Sequence, residues 1–156
     1  MKPNNVTRLL DSRGIPHTVY EFPPEKFSAV QVAQLLGVPP ELVYKTIVVT
    51  RQGKGKPILA VVPGNREVDL KALARAVGEK KVHLPTERQA EQLTGLKAGG
   101  ISPLVLLNRG FQILLDAAAQ EQKAIYISGG LRGLNIRLPV SAFLSVTNAI
   151  IVEISV

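Results

Sequence analysis

The stretch VYKTIVVTRQGKGKPILAVV, residues 43–62, decides the fold. Two runs rich in β-branched residues, Thr46–Thr50 and Ile58–Val62, flank RQGKGK, whose glycines and charges suit an exposed hairpin turn. Lys45 stands where a polar loop gives way to the first of these strands. A lysine at the mouth of a buried strand is either a solvated surface charge or a cation aimed into a pocket, and this stretch alone leaves both readings open.

Upstream, Val6, Leu9 and Leu10 recur at helical spacing over residues 4–13, with Asn4 or Asn5 as cap and Gly14 as stop. HTVYEF (17–22) reads as a strand. Ser28 and Gln31 form a capping box that opens SAVQVAQLLG, closed by Gly37, and VPPELVYK enters a short helical turn through proline. Downstream, Asp69 caps a helix ending at Gly78, KKVHL is a short strand, and Thr86 with Gln89 caps another helix to about Leu93. The segments LVLLN (104–108), FQILLD, AIYIS, LNIRL and AIIVEI read as strands, with a short helix near 141–147. Helices alternate with strands early and strands dominate later. The pattern predicts an α/β fold: a single domain, residues 1–156, with a curved mixed sheet or partial barrel flanked by helices.

The chain has 156 residues, 46% of them apolar and 20% charged, which is enough to bury a core in one globular unit. It lacks a run of about 18 apolar residues, so no membrane association is expected. The first residues, MKPNNVTRLLDSRG, carry no apolar stretch of the secretory kind. Cysteine is absent, which removes disulfides and thiolate chemistry and fits a cytoplasmic location. A net charge of +7 favours phosphate-rich partners such as RNA. The basic residues are scattered, so any RNA surface has to be assembled by folding. Arg51, Lys54 and Lys56 on RQGKGK are candidates for it, although a solvated hairpin is the better explanation of them.

Familiar catalytic sets are missing: no nucleophile elbow, phosphate loop or dinucleotide fingerprint occurs. The two histidines, His17 and His83, fall in predicted strands, where structural or surface roles account for them. What remains is glycine, serine and backbone. AGGISP (98–103) and SGGLRG (128–133) each place two glycines beside a serine. Such loops let a ligand approach the main chain and expose N–H donors, or they simply make tight connections. With Lys45 they could wall one polar pocket for a carbonyl or phosphate ligand, where donors aimed at a developing oxyanion supply much of the catalysis in acyl transfer.

Taken in order, VYKT (43–46), GGISP (99–103), LLDAAAQE (114–121) and IYISGGLRGLNIRL (125–138) resemble the YbaK/EbsC family of freestanding aminoacyl-tRNA deacylases, relatives of the editing domain of bacterial prolyl-tRNA synthetases. LLDSRGIPHTVYEF (9–22) and VDLKALARAVGEKKV (68–82) fit the same family's blocks. The resemblance implies hydrolysis of the ester on mischarged tRNA, most typically cysteine on proline tRNA, without metal or cofactor. DNA is not an expected partner, and association with prolyl-tRNA synthetase is an implied extra. Carried over, Lys45 is the residue the activity requires, holding the terminal adenosine or its phosphate rather than attacking. Thr46 sits beside it, Gly99, Gly100 and Ser102 form one wall, Ser128 and Gly129 the other, and Tyr20 aligns with an aromatic position near the pocket. For cysteine the substrate's own thiol assists the attack. Departures fall at LVLLNRG, where the family is commonly Gly-Gln-Lys-Lys-like, at Asn135, where it frequently has aspartate, and at the prolines after Phe22. They bear on substrate identity rather than on fold. The same resemblance also accommodates a deacylase for another amino acid such as alanine, a non-catalytic tRNA- or synthetase-binding module, or a regulatory module binding a small aminoacyl or nucleotide ligand.

Overall fold

The computed structural model describes residues 4–156. Local sequence signals set the helix boundaries. In α1 (Asn5–Ser12) the Asn4 side chain accepts from the Thr7 amide, and the Thr7 hydroxyl closes the reciprocal bond. The same reciprocal box opens α2 (Ala29–Leu36) through Ser28 and Gln31 and α4 (Glu87–Thr94) through Thr86 and Gln89. Asp69 caps α3 (Leu70–Val77) by accepting from Ala72 N–H, and α5 (Val140–Thr147) follows Pro139 directly. Each cap satisfies an amide that the helix itself leaves unpaired, a contribution of about 1 kcal/mol. Residues 40–42 form the expected proline-entered turn. None of these helices is long and apolar enough to cross a membrane.

The strands are β1 (Thr18–Glu21), β2 (Tyr44–Arg51), β3 (Ile58–Pro63), β4 (Val82–His83), β5 (Gln112–Asp116), β6 (Ala124–Ser128), β7 (Leu134–Pro139) and β8 (Ile150–Val152). They form two sheets. One has three antiparallel strands in the order β1-β7-β6, and the other has the order β4-β2-β3-β5-β8. Within the second, β4, β2 and β3 are antiparallel neighbours, whereas β3-β5 and β5-β8 are parallel. Among the described residues, one parallel backbone bridge, Val43 to Tyr126, joins the two sheets. The expected curved mixed architecture is therefore present as two abutting sheets that do not close.

One segment departs from its expected form. LVLLN is a run of turns, not a strand. Ser102 Oγ accepts from Leu104 N–H, and the Val105 and Leu106 amides bond back to Ser102 and Pro103 carbonyls, which coils the chain as it leaves the glycine loop. Leu104 and Leu106 are still buried, so an apolar run supplied core side chains without ladder pairing. Short apolar runs carry this ambiguity because burial, not extension, is what their composition encodes.

The main core lies between the sheets and α1 and α5, with Phe143, Leu10, Leu59, Leu115, Ile125, Ile127, Ile136 and Leu138 fully buried. A second cluster packs α3 on the other face of the larger sheet through Leu73, Ile58 and Ile154. Tyr44 reaches into the main core with its hydroxyl buried and, among the described residues, unpaired. Burial and the nearby Asp116 carboxylate push its pKa up to about 12, only partly countered by Arg66.

Two predictions follow from this packing. Replacing Tyr44 by Phe removes a buried hydroxyl without a partner, so stability at pH 7 should rise by about 1 kcal/mol in urea unfolding. Because the folded-state pKa of Tyr44 is raised, its contribution is intact below pH 10 and is lost as pH rises from there toward 12; roughly 1 kcal/mol should go by pH 11, and Tyr44→Phe should flatten that decline. In the second, Gly130 has φ 97° and a Cβ there would overlap the Val105 Cγ2 methyl, whereas Gly37, φ 71°, faces open space. Gly130→Ala should therefore cost at least about 2 kcal/mol more than Gly37→Ala.

Candidate active site

The cleft of interest opens where the two sheets part. β2 pairs with β3 along Tyr44–Val49, but on its other edge it pairs with β4 only at Thr50 and Arg51. Between those residues and the Val43 bridge, the main chain of β2 is not laddered to any strand on that side among the described residues, although β6 lies close to it. This edge forms the base of a cleft of about 450 Å³, lined by Lys45, Thr46, Ile47, Phe27, Ser28, Glu87, Gly99, Ser128 and Asn135 among others. The volume suits a nucleoside-sized or aminoacyl ligand.

Lys45 is largely covered, with 23% of its side chain exposed. Its Nζ donates to the Gly64 carbonyl at 3.3 Å and meets Glu67 Oε1 at 3.4 Å. Glu67 is 84% exposed, so that ion pair holds the ammonium only weakly in water. The carbonyl is the firmer anchor. Gly64 itself is wedged, since a Cβ there would stand 2.7 Å from Ala29 Cβ and 2.9 Å from the Val43 carbonyl. An ammonium has three donors, and this arrangement leaves it able to give a hydrogen bond to a ligand.

On the opposite wall, Asn135 of β7 sits in register between Tyr20 of β1 and Ser128 of β6. It is 6% exposed, and its Oδ1 is buried with no hydrogen-bond partner among the described residues. An unpaired buried amide oxygen is costly unless something completes it, and unlike Ser155 this residue also lines the cleft.

The site residues expected from the sequence separate into two groups. Lys45, Thr46, Gly99 and Ser128 line the cleft. Gly100, Ser102 and Gly129 are buried behind its walls. A Cβ on Gly100 would lie 3.0 Å from Arg132 N, and one on Gly129 would lie 2.7 Å from Leu134 Cγ, so both glycines serve close packing. Ser102 is fully buried and caps its own turn. Tyr20 packs on Tyr126 at 5.8 Å between ring centroids, in the apolar cluster beneath α2. The glycine loops do meet, but through Arg132, whose Nε donates to the Ala98 carbonyl at 2.6 Å. Glu91 accepts from Ala98 N–H at 2.7 Å and lies 4.0 Å from the Arg132 guanidinium, completing the clasp.

Gly64, Glu67, Asn135 and Arg132 were not among the expected site residues. A glycine in PGN directly after a buried strand is a local signal for Gly64; the other three depend on contacts distant in sequence. His17 bonds Ile15 O through Nδ1 at 2.8 Å, away from the cleft. Arg51 and Lys56 of the hairpin are held within the fold: Arg51 Nε donates to Lys56 O, and Lys56 Nζ stands 5.7 Å from the centre of the Phe111 ring.

Residues 23–145 match the model of the aminoacyl-tRNA editing domain family. A protein of Enterococcus faecalis with the provisional name Cys-tRNA(Pro)/Cys-tRNA(Cys) deacylase EbsC is 39% identical over 97% of this chain and 92% of its own length. The proline–tRNA ligase of Thermodesulfovibrio yellowstonii is 34% identical over 69% of this chain, which corresponds to 18% of that longer enzyme. Among solved structures, a hypothetical protein superposes with TM-score 0.88 at 22% identity, covering 98% of this chain and 100% of that one. A provisionally assigned trans-editing enzyme for prolyl tRNA synthetase superposes with TM-score 0.82 at 23% identity over 99% of each chain; at these identities the likeness concerns the fold. The chain belongs to the aminoacyl-tRNA editing domain family.

Proposed function

We propose that this chain is an aminoacyl-tRNA deacylase, an ester hydrolase that clears cysteine from proline tRNA in the cytoplasm, with residues 1–156 working as one editing domain. The observation that carries the reading is the pairing of a carbonyl-anchored Lys45 ammonium with the unpartnered Asn135 amide across one nucleoside-sized cleft. That pair suits a ligand offering both an anionic or carbonyl oxygen and polar hydrogens, as an aminoacyl ester on a terminal ribose does.

In this reading Lys45 holds the terminal adenosine, its phosphate or the ester carbonyl, and it works by orientation and charge rather than by attack. The open edge of β2 offers main-chain groups to the same ligand. Asn135 and Ser128 receive the aminoacyl group, with Thr46 and Gly99 shaping the walls. Gly100, Ser102 and Gly129 act from behind by fixing the loops. Where the substrate is a cysteinyl ester, its own thiol supplies the attack on the carbonyl, the ribose hydroxyl leaves, and water opens the resulting thioester. No base from the protein is then required. The family's link to proline–tRNA ligases makes prolyl-tRNA synthetase the natural partner for delivery of the mischarged tRNA.

Deacylation of cysteinyl-, alanyl- and prolyl-tRNA(Pro) by wild type, Lys45→Ala and Asn135→Ala tests the reading. Wild type should hydrolyse the cysteinyl ester at least about tenfold faster than the prolyl ester. Lys45→Ala should lower kcat/KM by roughly 100-fold, in line with the loss of one charged donor at a reacting centre. Asn135→Ala should act mainly on the discrimination between amino acids. Selective loss of alanine would move the chain to a different substrate, and turnover by Lys45→Ala at the wild-type rate would remove the lysine from its role.

A further inference from the structure

We propose that a second groove, continuous with the cleft, receives the nucleotides immediately before the terminal adenosine of a single-stranded RNA end. The inference rests on the deacylase reading for the identity of the terminal residue, but its own geometry lies elsewhere. The groove has a volume of about 390 Å³ and is lined by Thr50, His83, Leu84, Pro85 and Leu93 together with two glutamines of α4, Gln89 and Gln92. Leu84 and Pro85 also line the cleft, so the two spaces share a wall. From Lys45 to Thr50 along β2 is about 17 Å at the rise of an extended strand, room for several stacked nucleotides at about 3.4 Å each.

Three features match that occupant. Leu84 is 55% and Leu93 43% exposed, two apolar faces beside the exposed His83 ring, a small platform for a base where the chain has few aromatics. The outer edge of β4 has no neighbouring strand, so its main chain is open to polar groups on a base. The charge around the groove is unbalanced. The nearby carboxylates are engaged within the fold: Glu87 with Lys26, Glu79 with Arg51 and Glu91 with Arg132. Among the described residues, Lys80, Lys81 and Arg88 have no carboxylate within 4.0 Å. These cations flank β4 and the start of α4 and suit backbone phosphates. A groove with apolar faces among polar side chains, and with unpaired cations on the segments next to β4 and at the start of α4, fits nucleic acid better than a protein surface.

The test compares dissociation constants for the RNA trinucleotide CCA and for AMP, using wild type and a His83→Ala/Leu93→Glu variant. Both substituted residues are exposed and lie outside the cleft. Wild type should bind CCA at least about tenfold more tightly than AMP. The variant should lose most of that advantage while binding AMP as before, with an unchanged thermal midpoint. A Lys80→Ala/Lys81→Ala variant should lower the salt dependence of CCA binding by one to two ion equivalents, in keeping with about 0.7 counterions released per contact on a single strand. Equal binding of CCA and AMP by wild type, or CCA binding unaffected by the first variant, overturns the groove. So does a variant that weakens binding to prolyl-tRNA synthetase but not to CCA. If the groove variant weakens CCA binding while wild type hydrolyses no aminoacyl-tRNA, the groove stands and the deacylase reading falls. If hydrolysis is present and CCA binding is indifferent to the variant, the reverse holds.

Discussion

The cleft depends on β2 being paired along most of its length, Tyr44–Val49, on one side only. Strand edges are ordinarily covered, because unpaired main-chain groups attract other chains. Here the pairing on the other side is incomplete: β4 pairs only at Thr50 and Arg51, and β6, though close to the strand, is bridged to it only at Val43. The gap between those two contacts is the cleft. Its walls come from the other sheet and from the helix entries at Ser28 and Glu87, and its cation comes from the strand that was left open. A sheet that closed would bury the same apolar surface and lose the site.

How much of this was legible in the sequence depended on distance along the chain. The capping boxes at Ser28–Gln31 and Thr86–Gln89, and the aspartate cap at Asp69, form where the sequence puts them because each is satisfied within four residues. The hairpin from Tyr44 to Pro63 is equally local. LVLLN deceived because its apolar composition specifies burial, while Ser102 and Pro103 upstream decide that the buried chain coils. Lys45 and Ser128 were readable from their places at strand ends. Asn135 was visible only as a departure from a family pattern. That its amide lacks a partner follows from register with β1 and β6, which no local pattern encodes.

The glycine loops carry a related lesson. Their sequences suggest exposed N–H donors, yet Gly100 and Gly129 are there because neighbouring atoms leave no space for a methyl group. The loops fix the site from behind. Arg132 ties them together through the Ala98 carbonyl, and Glu91 reaches the same segment from α4. A guanidinium presents several donors in a rigid plane, so one side chain can hold a carbonyl and approach a carboxylate at once. The placement of Gly99 and Ser128 at the cleft thus depends on contacts neither residue makes.

The lone bridge between Val43 and Tyr126 gives the two sheets a seam. Across it the backbone is joined at one point, while side chains of the shared core carry the rest of the cohesion. Such a junction is stiff against compression and soft against shear, because packed side chains resist overlap but slide more readily than a hydrogen-bonded ladder. Small rotations of the three-stranded sheet about this seam would alter the width between Lys45 and Asn135 without unfolding either sheet. The width of the cleft is therefore set by how the two sheets pack against each other and not by a continuous backbone ladder.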